Sequence, residues 1–401
     1  MSDQSDTPLL TALHEAAQRD RAVFHTPGHK QGQGSPSRLA QRVGAATLQA
    51  DLPELPELDN LFAPEGAIEA AQNLAAEAFG AAQTYFLANG STCGIEAAIL
   101  AVCQPGDKII LPRNAHQSAI AALILSGAIP IWIKPVADPT WGIAHSVTPA
   151  AIQDAIDRHP NAKAVLIVSP TYYGVCANLE AIAQITHTHN LPLIVDEAHG
   201  AHFAFHPDLP LPALQAGADI AIQSTHKTLS ALTQAAMLHI QENRIERDRL
   251  QRALQLVQST SPNYLLLASL DAARQQMATA GKELWSQTIA LVEQVRHQIR
   301  QIPGIRLLEA EAVTELGFPA LDPTRITIDL SNLGISGFEA DEILHQQFGV
   351  TAELPGLTTL TFILTFGNTH SPAHFPQSPQ HFPHQTDRSS AELRSVWCGK
   401  C

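Results

Sequence analysis

Long apolar runs are missing from this 401-residue chain. No stretch reaches the about 18 consecutive apolar residues that a membrane span needs, and the polar, acidic start from Met1 to Thr7 has no apolar segment behind it. Neither a span nor an export signal is expected. Cysteine is scarce, with five residues at Cys93, Cys103, Cys176, Cys398 and Cys401. An odd number in so long a chain argues against a disulfide framework and fits a reducing cytoplasm. Cys398 and Cys401 have C-x-x-C spacing, but no second pair and no βαβ context accompanies them. Basic charge is also short: 24 Lys and Arg stand against 38 Asp and Glu, a net charge of −14. That balance repels nucleic acid and anionic membranes and mildly favours small cations.

What is present is ordinary for a large-cored globular enzyme, at 45% hydrophobic and 15% charged residues. From about residue 66 helical stretches alternate with short apolar strands. Helices are expected near Ile68 to Phe79 and Ser118 to Ser126. Strands are expected at Lys108 to Leu111, Ile129 to Ile133, Ala164 to Val168, Leu193 to Val195, Ile220 to Ile222 and Ala235 to His239. Uninterrupted runs such as Val165 to Val168 suit strands buried on both faces, hence a mainly parallel sheet covered by helices. Residues Arg244 to Arg300 predict long helices broken near Pro262. A smaller α/β unit follows, with strands Arg325 to Asp329 and Thr359 to Thr365 around a helix from Gly337 to Phe348. The expected division is an N-terminal segment 1–30, a large domain 31–250, connecting helices with a small domain 251–369, and a tail 370–401. That tail is rich in Pro, His, Gln and Ser, too polar to order itself. Its His370, His374, His381 and His384 are spaced irregularly and lack acidic partners, so no metal site is expected there.

Ligands of parallel sheets gather beyond the carboxyl ends of the strands, and four polar segments fall there. Ser224-Thr225-His226-Lys227-Thr228 sets a lysine among donors after Ile220 to Ile222. A partly desolvated amine so placed suits Schiff-base chemistry, with Ser224 and His226 available to a phosphate on the same cofactor. Asn89-Gly90-Ser91-Thr92-Cys93-Gly94 opens a helix whose N–H groups, with Ser91 and Thr92, can hold an anion. A plain capped turn uses the same residues. Asp196, in Val195-Asp196-Glu197-Ala198-His199-Gly200, can keep a pyridinium nitrogen protonated; a metal held by Asp196, Glu197, His199 and His202 is the rival. Against the rival, Asp196 and Glu197 point to opposite faces if the strand continues. Just past the strand Lys108 to Leu111, in Arg113-Asn114-Ala115-His116-Gln117-Ser118, His116 can stack on an aromatic ring or simply start a helix.

Together these segments resemble a fold-type I pyridoxal 5'-phosphate enzyme of the aspartate aminotransferase-like class, and in detail the Orn/Lys/Arg decarboxylase family. The likeness begins at Phe24-His25-Thr26-Pro27-Gly28-His29-Lys30, includes Leu58-Asp59-Asn60-Leu61, and reaches Ala352-Glu353-Leu354-Pro355 and Phe366-Gly367-Asn368. By that resemblance Lys227 anchors pyridoxal 5'-phosphate, Asp196 pairs with its ring nitrogen and His116 stacks on the ring. Ala198 covers the other face, His199 reaches the ring hydroxyl, and Ser91, Thr92, Ser224 and His226 bind the phosphate. His29, Lys30 and Glu353 are implied on the substrate side. Ser259 to Tyr264 resembles an element reaching a neighbouring subunit, so a homodimer or larger assembly in the cytoplasm is implied.

The implied activity is decarboxylation of arginine, lysine or ornithine towards polyamines. An aminotransferase or aldolase-type lyase on the same scaffold is the alternative, as is an inactive homologue that still binds the cofactor. Family members continue into a C-terminal domain with Tyr-Pro-Pro-Gly-Ile-Pro and Pro-Gly-Glu stretches, and neither occurs here. A truncated or frame-disrupted gene is the expectation that follows.

Overall fold

The computed structural model describes residues 3–241 and 244–368, so the whole Pro/His-rich tail with its histidines, Cys398 and Cys401 lies outside the described residues. The chain divides into two compact units. One holds the residues up to Val136 with Ala144–Ser286 and Val313–Asp322; the other holds Ala137–Ile143, Gln287–Ala312 and the residues from Pro323.

The first unit is built on a seven-stranded sheet. Its order is Gln83–Leu87, Ala236–Ile240, Ile220–Gln223, Leu193–Asp196, Ala162–Val168, Lys108–Pro112 and Ile129–Ile133. Ala236–Ile240 runs against its two neighbours, and the other pairings are parallel. Alternation along each strand feeds two cores. Leu166, Ile194, Ile220 and Ile222 enter one, with the helices Gly90–Val102 and Arg247–Val257. Val165, Ile167, Leu193, Val195 and Ala221 enter the other, with Pro149–Arg158 and Leu179–Thr188. A strand covered on both faces has no use for polar residues until it ends, which is why these runs are uninterrupted in the sequence. Gly94 brings the Gly90–Val102 helix close to the sheet: a Cβ there would stand 2.7 Å from Leu87 and 2.9 Å from Ile222.

Registers Leu87 to Ala236, Met237 to Gln223, Asp196 to Ile222 and Val168 to Asp196 align the strand ends along one edge of this sheet. The chemistry-bearing segments all leave from that edge.

The second unit carries an antiparallel sheet in the order Arg306–Leu307, Arg325–Asp329, Thr359–Ile363 and Leu354–Pro355. The helix Gly337–Phe348 begins in a capping box of Ser336 and Glu339 and ends at left-handed Gly349. Ile326, Ile328, Leu344 and Leu360 share its core with Val292 and Ile299. The strand expected to reach Thr365 stops at Ile363, opposite Arg325, with one further backbone bond from Leu364 N–H to the Thr324 carbonyl. Likewise the strand expected at Ala235 to His239 runs Ala236–Ile240, Ala235 being spent on the turn that follows Lys227.

Candidate active site

Lys227 lies in the single helical turn Thr225–Thr228 that leaves the strand Ile220–Gln223. Its Nζ is 3.0 Å from Nε2 of His199, a residue that is 4% exposed. Both belong to segments that leave the same sheet edge, and strand pairing brings them together across 28 residues of sequence. Tyr172, in the loop after Ala162–Val168, completes the group. Its ring centroid is 4.4 Å from that of His199, and Lys227 Nζ stands 5.7 Å from the Tyr172 centroid.

Asp196 closes the strand Leu193–Asp196 and is buried. Its Oδ1 accepts the Ala198 N–H at 3.2 Å. Burial pushes the Asp196 carboxyl above the usual carboxylate range, while the Ala198 N–H, Lys227 and His116 oppose the rise. A cation brought to this carboxylate would favour its ionised form. Glu197 turns away: Oε1 accepts Ala213 N–H and Oε2 accepts Gln223 Nε2, each at 2.8 Å. From Gln223 a buried polar chain runs through His239 to Thr84, with contacts of 3.1 and 2.8 Å. His202 goes elsewhere again, to Asp322 at 3.2 Å and onto the Trp285 ring. The four side chains of the rival metal reading thus part company, and the described residues hold no cluster of three or more metal-ligating groups. Gly200 makes this tight turn possible, since a Cβ would meet Glu197 at 2.8 Å and Pro170 at 2.9 Å.

The helix Gly90–Val102 starts without a side-chain cap, so its first N–H groups are not spent on Asn89, whose Oδ1 accepts from Ser259 N instead. Those N–H groups are open at the helix start, as an anion site requires. Ser91 Oγ accepts from Ser224 Oγ at 2.8 Å, joining the helix start to the lysine segment. The hydroxyls of Thr225 and Thr228 are buried without a hydrogen-bond partner. Thr92 is exposed at the same helix start. His226 is half committed: its N and Nδ1 both donate to the Ala235 carbonyl, leaving Nε2. His116 caps the helix Gln117–Ser126 by accepting the Ser118 N–H at Nδ1, which leaves Nε2 as the proton-bearing nitrogen of the neutral ring.

An amine, a buried carboxylate, converging hydroxyls and an uncapped helix start suit a phosphorylated aromatic aldehyde. A family model described as Orn/Lys/Arg decarboxylase, major domain, matches residues 7–372. The chain belongs to this family. It is 43% identical over 370 residues to an arginine decarboxylase of Bacillus subtilis (strain 168), covering 92% of this chain and 76% of that protein. Among solved structures it resembles lysine decarboxylase A from Pseudomonas aeruginosa with a TM-score of 0.79 and 27% identity, over 91% of this chain and 58% of that one. The lysine decarboxylase of Francisella novicida superposes with a TM-score of 0.78 at 24% identity, over 92% of this chain and 58% of that one. The chain therefore spans less than two thirds of the solved decarboxylases it matches, and its fold is the α/β fold of fold-type I enzymes.

Of the other residues singled out in this family member, Ala198 is buried beside Asp196. His29 is engaged at both ring nitrogens, with Asp51 and the Gly32 N–H each at 3.0 Å, and Lys30 Nζ donates to the His25 carbonyl. Glu353 is exposed in the second unit, its N–H donating to Thr361. Tyr172 is not legible as a neighbour of Lys227, since it sits in an unremarkable Thr-Tyr-Tyr-Gly loop. A polar loop at the end of a both-faces-buried strand was the available signal for Tyr172.

Proposed function

We propose that this chain is the major domain of a pyridoxal 5'-phosphate-dependent decarboxylase acting on a basic amino acid, with arginine the first substrate to test. The contact of Lys227 Nζ with His199 Nε2 beside buried Asp196 carries the chemistry. The substrate class rests on the relative named arginine decarboxylase. The residues present fit the cofactor: Ser91, Ser224 and the free N–H groups of the Gly90 helix suit the phosphate, and the orphaned Thr225 and Thr228 hydroxyls add donors without a protein partner. Bound there, the cofactor supplies an aldehyde for Lys227 and an electron sink for the bond pair that carbon dioxide leaves behind.

The protein's own groups do the rest. Asp196, buried at the strand end, would pair as a carboxylate with the ring nitrogen and keep that nitrogen protonated. Lys227 and His199 exchange a proton across 3.0 Å, so the amine can be neutral when it must attack and protonated when it must give a proton to the α-carbon. Tyr172 packs on both and holds them in register. His116 is fixed by Ser118 and presents its ring at the neighbouring strand end.

The test is purified protein with added cofactor, offered arginine, lysine and ornithine in turn while carbon dioxide release and the amine product are measured. Turnover of one of them is expected. Cofactor bound through Lys227 with silence towards all three would overturn the substrate class, and accumulation of the pyridoxamine form would make the chain an aminotransferase.

A further inference from the structure

The turn that opens the Gly90 helix is gripped from both sides by glutamines remote in sequence. Gln258 Oε1 accepts the Ala88 N–H at 2.9 Å, and Gln234 Nε2 donates to the Ala88 carbonyl at 2.6 Å. Ala88 is 3% exposed, so both of its peptide groups would otherwise be buried without a partner. Gln234 makes its bond from a backbone φ of 86°, in the left-handed region that glycine and asparagine favour and glutamine does not. Strain of this kind persists where the surroundings over-determine it. Here they do. The next residue, Ala235, holds the N–H and Nδ1 of His226 through its carbonyl, at 3.2 and 2.9 Å. The dipeptide Gln234-Ala235 is thus a strap: one side chain holds the end of the strand Gln83–Leu87, and the adjoining carbonyl holds the turn that carries Lys227.

We infer that Gln234 is a positioning residue for the phosphate end of the cofactor. This rests on the proposed cofactor reading. By fixing Ala88, Gln234 sets the angle at which Gly90, with φ 77°, starts the helix, and so where its N–H groups and Ser91 lie relative to Ser224 and Lys227. Asn89, freed from capping by its bond to Ser259, leaves those N–H groups to the ligand. The Gln234 amide acts on the Ala88 carbonyl at the helix start, whereas the turn of Lys227 is held by the Ala235 carbonyl, which a change of the Gln234 side chain leaves in place. Its loss should weaken phosphate recognition and leave aldehyde capture alone.

The experiment compares pyridoxal 5'-phosphate with pyridoxal, which lacks the phosphate, as ligands of the apoprotein. Affinities are read by visible absorbance for the wild type, Gln234→Glu, Gln234→Ala and Gln234→Gly. Gln234→Glu keeps the size of the side chain but cannot donate to the Ala88 carbonyl, and Gln234→Gly removes the backbone strain together with the amide, so it secures a folded variant. All three should lose up to about tenfold in affinity for the phosphorylated ligand, the upper end of what one part-buried hydrogen bond is worth, and bind pyridoxal as the wild type does. An unchanged ratio of the two affinities in Gln234→Glu and Gln234→Gly overturns the inference. Failure of the wild type to prefer the phosphorylated ligand would instead overturn the cofactor reading beneath it.

Discussion

Lys227 Nζ and His199 Nε2 stand 3.0 Å apart at the edge of the central sheet. The contact joins two segments that leave adjacent strand ends. The pair explains why an imidazole rather than a second carboxylate accompanies this lysine: a carboxylate would hold the amine as an ammonium and blunt its attack.

Replacing Lys227 by alanine is expected to abolish covalent capture of the cofactor. Borohydride treatment followed by peptide mass analysis should label Lys227 in the wild type and nothing in Lys227→Ala. Turnover should fall by about a thousandfold or more. A labelled peptide elsewhere would reassign the anchor.

Tyr172→Ala should disturb the pair without removing it, lowering kcat by about tenfold, the scale of a partly buried cation–ring contact. It should also move the pH profile of kcat, whereas Tyr172→Phe keeps the ring and stays near the wild type. Identical profiles for all three proteins would remove Tyr172 from the site.

Asp196→Asn keeps the shape of the strand end and removes its charge. Cofactor should still bind through Lys227, and kcat should fall about a hundredfold or more, since the electron sink is no longer held protonated. Wild-type kcat in this variant would show that Asp196 is merely a buried strand terminus.

Two buried groups outside the chemistry give folding a pH dependence of opposite sign. Burial carries Glu197 from 4.5 up to about 8, so between those values the folded chain keeps a proton that the unfolded chain has released, and stability falls as pH rises. Burial takes His239 from 6.5 down to about 3, so stability is lost as pH drops through that window. Glu197→Gln should therefore melt progressively closer to, or above, the wild type as pH is raised from about 5 to about 8. Melting curves that keep a constant offset over that range would contradict the assignment.

Asp271 and Arg274 form a fully buried ion pair that ties down the N-terminal segment. Asp271 Oδ2 accepts the N–H groups of Leu9 and Leu10, and Arg274 donates to the Gln4 and Asp6 carbonyls. Asp271→Ala strands the guanidinium in the interior and should cost about 3–5 kcal/mol in urea unfolding. A cost below about 1 kcal/mol would mean that the segment detaches and takes the charge back to water.

The sequence by itself determined the layered α/β architecture, because a strand covered on both faces must be an unbroken apolar run and a helix must repeat its apolar positions every three to four residues. It also marked Lys227, Asp196, His116 and the Ser91-Thr92 helix start, because polar residues directly after such runs can lie only at the sheet edge. Partnership was decided by tertiary structure. That His199 meets Lys227, that Glu197 turns to Gln223 and away from Asp196, and that Asn89 leaves its helix uncapped depend on the register between strands far apart in sequence. The contacts of Tyr172, Gln234 and Gln258 were hidden for the same reason. Their local sequence has no motif, and what each does is defined by the backbone or ring that the folded sheet sets against it.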